Sequence, residues 1–512
     1  MTTRIAIAAS NRLAVQAGLR LAESGGNAVD AAVAALLVAI VCEPGVCSPA
    51  GGAFVTVAPA DGSAPVTIDG NVEMPGRGLP AGAFGRGMRE VTTEYGGGLT
   101  MTVGHGSVAT PGALAALDLA HRTYGTVPWA EVAAPAVEAA REGFPLGAAS
   151  AYYLGLVHTT VYGWHPDSWA ALHDSDGRLL EAGATVRIEH LADSLQLIAD
   201  EGAAALYAGE LAEKITADMA EHGGLLTARD LAGYRPVQRP ALAVGYGSWE
   251  FGTNPPPAIG GVVLAAMLTL LGGRRGGAGR PVDLAELVAI QEAVLRYRLV
   301  HLDVTEDRVD ACRRLLDLVG AGGLAALSGP PSTVHVSVVD GAGSACAITS
   351  SAGYGSGVMT PGTGLWLNNC LGEPELNRGG PHALAPGERL PSNMAPTVGR
   401  GADGAVLAIG SPGADRITTA LGQVLAGFAG AGRDLHTAIA FPRLHVNLSA
   451  AEPVVEHEED LSLPALPWPT RSHRRSSMYF GGVGAALRTV AGELQAAADP
   501  RRDGCAAVTP GG

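Results

Sequence analysis

At Thr333 the hydrophobic period of this chain switches from helical to alternating. Residues 333–340, Thr-Val-His-Val-Ser-Val-Val-Asp, put Thr333, His335 and Ser337 on one face of an extended segment and Val334, Val336 and Val338 on the other. Only a β-strand satisfies that period of two. The turn Gly341-Ala342-Gly343 and the run Ser344–Ser350 complete a predicted hairpin. Further strands are predicted at Leu365–Asn368, Val406–Ile409 and Arg443–Val446, with a helix at Arg416–Ala426 between them. Upstream the spacing predicts helices at Leu13–Glu23, Ala28–Val41, Pro111–Tyr124, Trp129–Glu142, Ile188–Asp200, Val262–Leu271, Asp283–Leu302 and Ala311–Leu327. Strands are predicted there at Ala53–Val57 and Pro65–Ile68, and a strand pair at Ala241–Thr253. Ala28–Val41 is apolar almost all round and is expected to be buried. Helices crowded before residue 333 and strands crowded after it imply a layered α/β structure in which strands from both parts pair.

Charge and composition exclude several functions. With 34 Lys and Arg against 49 Asp and Glu, a net charge of −15, the chain lacks the basic balance that nucleic-acid binding requires. The 72 Gly and 33 Pro make it rich in turns, but 47% hydrophobic and 16% charged residues are the reverse of a disordered composition. The longest apolar run, Ala31–Val41, stops at Cys42-Glu43-Pro44, short of the roughly 18 residues of a membrane span. The start, MTTRIAIAAS, is too short for an export leader of roughly 7 to 15 apolar residues, so no membrane contact and a cytoplasmic location are expected. Six cysteines with no C-x-x-C are expected to be reduced and packed. No G-x-S-x-G, H-E-x-x-H or G-x-x-x-x-G-K-[ST] occurs. His457 lies in the charged run Glu456–Asp460, expected to be a solvated loop; no metal and no cofactor are implied.

Seven blocks occur in order: GGNAVDAAVA at 25–34, GSVATPG at 106–112, NPPP at 254–257 with Gly260-Gly261, TVHVSVVD at 333–340, LNN at 367–369, GSPG at 410–413 and DPRRDG at 499–504. Together they resemble the γ-glutamyltransferase family of N-terminal-nucleophile hydrolases, TVHVSVVD being the most specific. The resemblance covers nearly the whole chain. It implies a four-layer αββα sandwich and a precursor that cuts itself between Ser332 and Thr333. The products would be a large fragment, residues 1–332, and a small fragment, residues 333–512, held together as an αβ heterodimer by one shared core. It implies an enzyme acting on a small-molecule substrate through an acyl-enzyme on Thr333. The chemistry suits the residue: a threonine hydroxyl needs an adjacent base, and a freed α-amine with a pKa of roughly 7.7 to 8.0 supplies one on the same residue. The resemblance places oxyanion donors at Gly413 and Ala414 and lets Thr349 and Ser351 orient the Thr333 hydroxyl.

The substrate-recognising positions depart from the family. Asn71 or Val72 stands where the family has the Arg that grips the glutamate α-carboxylate, and the nearest Arg is Arg77. Asn and Val cannot make a bidentate carboxylate clamp. The segment Ser350–Tyr354 lacks the family's Asn; after Asn368-Asn369 stand Cys370 and Glu373 in place of Gln and Asp; Ser392-Asn393 replace paired serines before Met394. Asn71, Arg77, Asn369, Cys370, Glu373, Ser392 and Asn393 are thus the candidate substrate-binding set. Family chemistry on a substrate other than glutathione is the expectation. The resemblance also admits hydrolytic carbon–carbon cleavage in the making of a 4-alkylproline-containing natural product, ordinary γ-glutamyl transfer, or a scaffold without turnover.

Overall fold

The segment predicted from alternation, Val334–Asp340, is the third strand of a seven-stranded antiparallel sheet. The order across that sheet is Cys505–Val508, Ile5–Ala9, Val334–Asp340, Ala345–Ser351, Gly52–Ala58, Val66–Gly70 and Val237–Pro240. A second, six-stranded antiparallel sheet runs Leu494–Ala498, Gly484–Arg488, Val406–Gly410, Thr397–Gly401, Trp249–Thr253 and Leu242–Tyr246. The structure, a computed structural model, describes residues 2–95, 98–273, 282–303, 305, 307–321, 333–413, 415–448 and 452–510.

Alternation decides which face each strand gives to which layer. Val334, Val336 and Val338 point to a helical layer, joining a core with the helices Arg12–Glu23, Ala28–Cys42 and Trp129–Glu142. Val339 points the other way, into a thin inter-sheet core of Ala6, Ala58, Ala345, Ala347, Val398 and Ala408. Small side chains on both inner faces let the two sheets stack closely. On the far side the helices Ile259–Gly272 and Arg416–Leu425 cover the second sheet through Leu264, Leu268, Leu421 and Val424. The result is helix, sheet, sheet, helix, the four-layer αββα arrangement.

Ala28–Cys42 is buried at all fifteen positions, as its all-round apolarity predicts. Asn27 and Asp30 close its start with a reciprocal capping box, an arrangement worth about 1 kcal/mol. Asp30 also accepts from Thr126 N–H and Oγ1, tying this helix to the loop after Ala113–Tyr124.

Several local expectations need correction. The run Glu456–Asp460 is not a solvated loop: Val454–Glu458 is a strand, and Glu456 and Glu458 are buried. Their charges are met from afar, Glu458 by Arg501 and the Arg443 N–H, Glu456 by Arg471 and His473. The strand Ile5–Ala9 and the helices Ala148–Val157 and Glu210–His222 were not predicted. The helix predicted from Ala311 begins at Arg308 and is described as far as Gly320; residues 322–327 lie outside the described residues. All six cysteines are free, five of them buried. Among the described residues no helix is long and apolar enough to cross a membrane.

Candidate active site

The register of the central hairpin builds the site. Val334 pairs with Ser350 and His335 with Thr349, so Thr333 stands immediately before the strand, level with Ser351. Thr333, His335 and Ser337 share the face toward the second sheet. There Gly410 makes room for the imidazole: a Cβ on Gly410 would stand 2.1 Å from His335 Cε1. His335 Nε2 lies 2.7 Å from Ser337 Oγ, whose own hydrogen goes to Gly484 O at 3.1 Å. Nε2 is therefore the protonated nitrogen, and Nδ1 accepts from Thr349 Oγ1 at 2.8 Å. Thr349 thus spends its hydrogen on His335 and keeps lone pairs free.

Burial holds the His335 pKa down to about 3, so the ring is neutral. The folded value lies below the unfolded one, so the unfolded chain takes up the extra proton first. The contribution is fully present above about pH 6.5 and is lost at up to about 1.4 kcal/mol per pH unit as the pH falls toward 3. His335→Gln is expected to flatten the fall in urea midpoint between pH 7 and pH 4 relative to wild type; parallel curves for the two proteins would contradict this.

Thr333 is buried and borders two small cavities. One lies between Thr333, Ser351, Asn71, Cys370, Glu373 and the segment Leu390–Met394. Among the described residues no Arg or Lys lines it. The other is bounded by Thr333, His335, Pro412, Gly482 and Arg502. The corner carrying Pro412 is stiff: Ser411 Oγ donates to Pro412 O and accepts from Gly482 N–H. Gly413 has φ +123°, and a Cβ there would stand 2.5 Å from Gly481 Cα. Ala414 and Ser332 lie outside the described residues.

The substrate-binding candidates divide into two groups. Asn71, Cys370, Glu373, Ser392 and Asn393 come together around the first cavity. Asn71 is anchored by Nδ2 to Leu390 O at 2.7 Å, and Ser392 by its carbonyl to the N–H groups of Ile259 and Gly260. Asn393, 3% exposed, has neither amide atom hydrogen-bonded, and Glu373 Oε2 is likewise unpartnered. Burial, then the neighbouring Glu375, push the Glu373 carboxyl well above the ordinary range, against a hydrogen bond from Cys370. Arg77 and Asn369 are not among the residues lining this cavity. Arg77 is held by Glu73 at 3.0 Å and by Asp230 at 3.7 Å. Asn369 lies fully buried, its Oδ1 accepting from Tyr354 N–H at 2.6 Å and its Nδ2 donating to Thr102 O.

Two residues beside the site escaped the sequence reading. Glu375 accepts from Tyr354 Oη at 2.9 Å, and burial lifts its carboxyl to about 7. Arg502 lies in the block DPRRDG, but nothing in the block's spacing says that it borders Thr333. Among the described residues one group has metal-ligand chemistry, His105, Asp218 and His222. The two imidazoles stack at 4.6 Å, 18° from parallel. His105 Nε2 bonds Asp218 Oδ1 at 3.3 Å, and His222 Nδ1 bonds the Asp218 carbonyl oxygen at 3.0 Å.

This fold, with a threonine opening the central strand of the inner face, is that of an N-terminal-nucleophile hydrolase. The family model for γ-glutamyltranspeptidase matches residues 14–509, and the chain belongs to that family. It is 31% identical to a Pseudomonas acylase ACY 1 proenzyme over 99% of this chain and 94% of the relative. It is 28% identical to the glutathione hydrolase proenzyme of Escherichia coli over 86% of this chain and 80% of the relative. Its fold superposes on the cephalosporin acylase from Bacillus halodurans with a TM-score of 0.78 at 26% identity, covering 99% and 96% of the two chains. The protein is an enzyme of this hydrolase and acyltransferase class.

Proposed function

We propose that the chain is a self-processing threonine hydrolase or acyltransferase whose substrate is not glutathione. The observation that carries the second half is the cavity beside Thr333: the described residues that face it offer Asn71, Cys370, Glu373, Ser392 and Asn393, and no cation. A γ-glutamyl group brings a carboxylate, and seating it there unpaired costs several kcal/mol. The unpartnered Asn393 amide and Glu373 Oε2 suit an acyl group bearing an amine or amide instead.

In the proposed reaction the Thr333 hydroxyl first attacks the Ser332 carbonyl, the acyl group shifts from nitrogen to oxygen, and water hydrolyses the ester. This leaves a carboxylate on the large fragment and an amine on Thr333. That amine then accepts the hydroxyl proton as Oγ attacks the substrate carbonyl, while the N–H groups at Gly413 and Ala414 receive the negative charge on oxygen. The amine returns its proton to the leaving group, and water or an acceptor amine takes the acyl group from Thr333.

Intact-mass measurement of the purified chain is expected to show fragments ending at Ser332 and starting at Thr333. With γ-glutamyl 4-nitroanilide, turnover is expected at least about 100-fold below that of a glutathione hydrolase assayed in parallel. A chain that stays whole on long incubation defeats the self-processing part, and equal turnover of the anilide restores ordinary γ-glutamyl chemistry.

A further inference from the structure

On the side of Thr333 away from Glu373 and Asn393, the protein gathers positive charge. The cavity bounded by Thr333 and Pro412 shares Ala149, Met478 and Arg502 with a larger one of about 780 Å³. Six arginines line this larger space against three carboxylates, Glu94, Glu456 and Asp503, in a chain of net charge −15. Four of the arginines already have partners: Arg416 pairs with Asp415, Arg471 with Glu456, Arg475 with Asp460, and Arg501 with Glu458 and Asp499.

Arg502 differs from these. It is 7% exposed, its Nε has no hydrogen-bond partner, and one terminal nitrogen makes a long 3.4 Å contact to Met478 O. Its other side-chain hydrogen bond is to the Tyr95 hydroxyl. Among the described residues no carboxylate lies within ion-pair distance of it: of the two acids on the same cavity wall, Asp499 is paired with Arg443 and Arg501, and Glu43 is pushed toward its neutral form by burial. A guanidinium buried without a counter-charge is strongly unfavourable unless a ligand supplies one. The same terminal nitrogen lies 3.9 Å from where a Cβ on Gly413 would stand, so the charge sits at the corner beside Thr333, where the two cavities join.

We propose that Arg502 binds a carboxylate carried by the part of the substrate that extends from Thr333 into the large cavity. The planar guanidinium offers an incoming carboxylate its terminal nitrogens as directed, charge-assisted donors. The exposed Arg474 at the rim adds to the positive field that draws an anion inward. The site would then recognise a substrate with two ends: an amine- or amide-bearing acyl group toward Glu373, and an anionic remainder toward Arg502. Which bond is cut rests on the Thr333 reading above; the binding of the anion does not.

The test uses 4-acetamidobenzoate and its uncharged counterpart 4-acetamidobenzamide, titrated calorimetrically into the purified protein. The carboxylate is expected to bind wild type at least about tenfold more tightly than the amide. Arg502→Gln is expected to erase that preference, Arg502→Lys to keep part of it and Arg474→Gln to keep it within about threefold. In wild type the carboxylate is further expected to protect Arg502 from phenylglyoxal, read by peptide mass spectrometry, a result that does not depend on the variants folding. Equal binding of the two probes, no binding of the carboxylate, a preference that survives in Arg502→Gln, or labelling of Arg502 indifferent to the carboxylate would each overturn the proposal. Cleavage between Ser332 and Thr333, scored by intact mass in the same samples, separates failure of the anion site from failure of the nucleophile.

Discussion

Thr333→Ala is expected to leave the chain uncut and to lower turnover of any acyl substrate by at least about 10,000-fold, while the melting temperature stays close to that of wild type. The two parts of that result have separate causes. On the proposed reading the hydroxyl is the attacking group in both self-cleavage and catalysis, so its removal ends both. The backbone of the strand is unaffected, because Val334 still pairs with Ser350 and Val336 with Ile348. The change is also small in volume, at a residue that borders two cavities. Thr333→Ser, which keeps the hydroxyl and loses the methyl, is expected to cleave and turn over more slowly. Cleavage of the alanine variant at the same bond would remove Thr333 from the mechanism.

Gly413→Ala is the second change expected to have a large effect. Its φ of +123° lies where an L side chain costs about 1–3 kcal/mol, and the added methyl would meet Gly481 Cα at 2.5 Å. Gly481 is backbone and itself has φ +80°, so the contact is relieved only by moving the Pro412 corner. An oxyanion donor displaced from its line loses about 100- to 1000-fold in kcat. A fall in kcat with KM nearly unchanged and cleavage slowed is the expected result. Wild-type kcat in a folded Gly413→Ala protein would mean that this corner does not hold the oxyanion.

The parts of this protein that were legible in sequence are those where one segment decides its own structure. Thr333–Val338 alternates polar and apolar, and Ala28–Cys42 is apolar all round, so each announces both its type and its burial. Ile5–Ala9 does not: five apolar residues in a row carry no polar-apolar period, and only pairing with Val334–Asp340 and Cys505–Val508 makes them a strand. The charged run around His457 misleads for a related reason. Glu458 is buried because Arg501, 43 positions later, reaches it, and no local pattern records that partner. The family blocks singled out Thr333, and positions outside them that depart from the family pattern pointed to the residues of the neighbouring cavity. They said nothing of Arg502, whose interest lies in the counter-charge it lacks, a property of the surroundings rather than of the motif. Arg77 shows the converse: proximity in sequence suggested a carboxylate clamp, yet Glu73 and Asp230 already occupy its guanidinium.

The strand order of the larger sheet bears on assembly. Ile5–Ala9 is hydrogen-bonded on one side to Val334–Asp340 and on the other to Cys505–Val508. A cut ahead of Thr333 would put that strand on one polypeptide and both its neighbours on the other. The two pieces would then be interleaved rather than merely docked, and pulling them apart would mean tearing open the middle of a sheet. Fragment exchange in a mixture of labelled and unlabelled protein should therefore proceed only as fast as global unfolding, whatever the dilution. The two pieces, expressed separately and mixed, should fail to assemble unless refolded together, and shortening the chain at its start by as little as the first nine residues should cost the whole fold rather than a loose end.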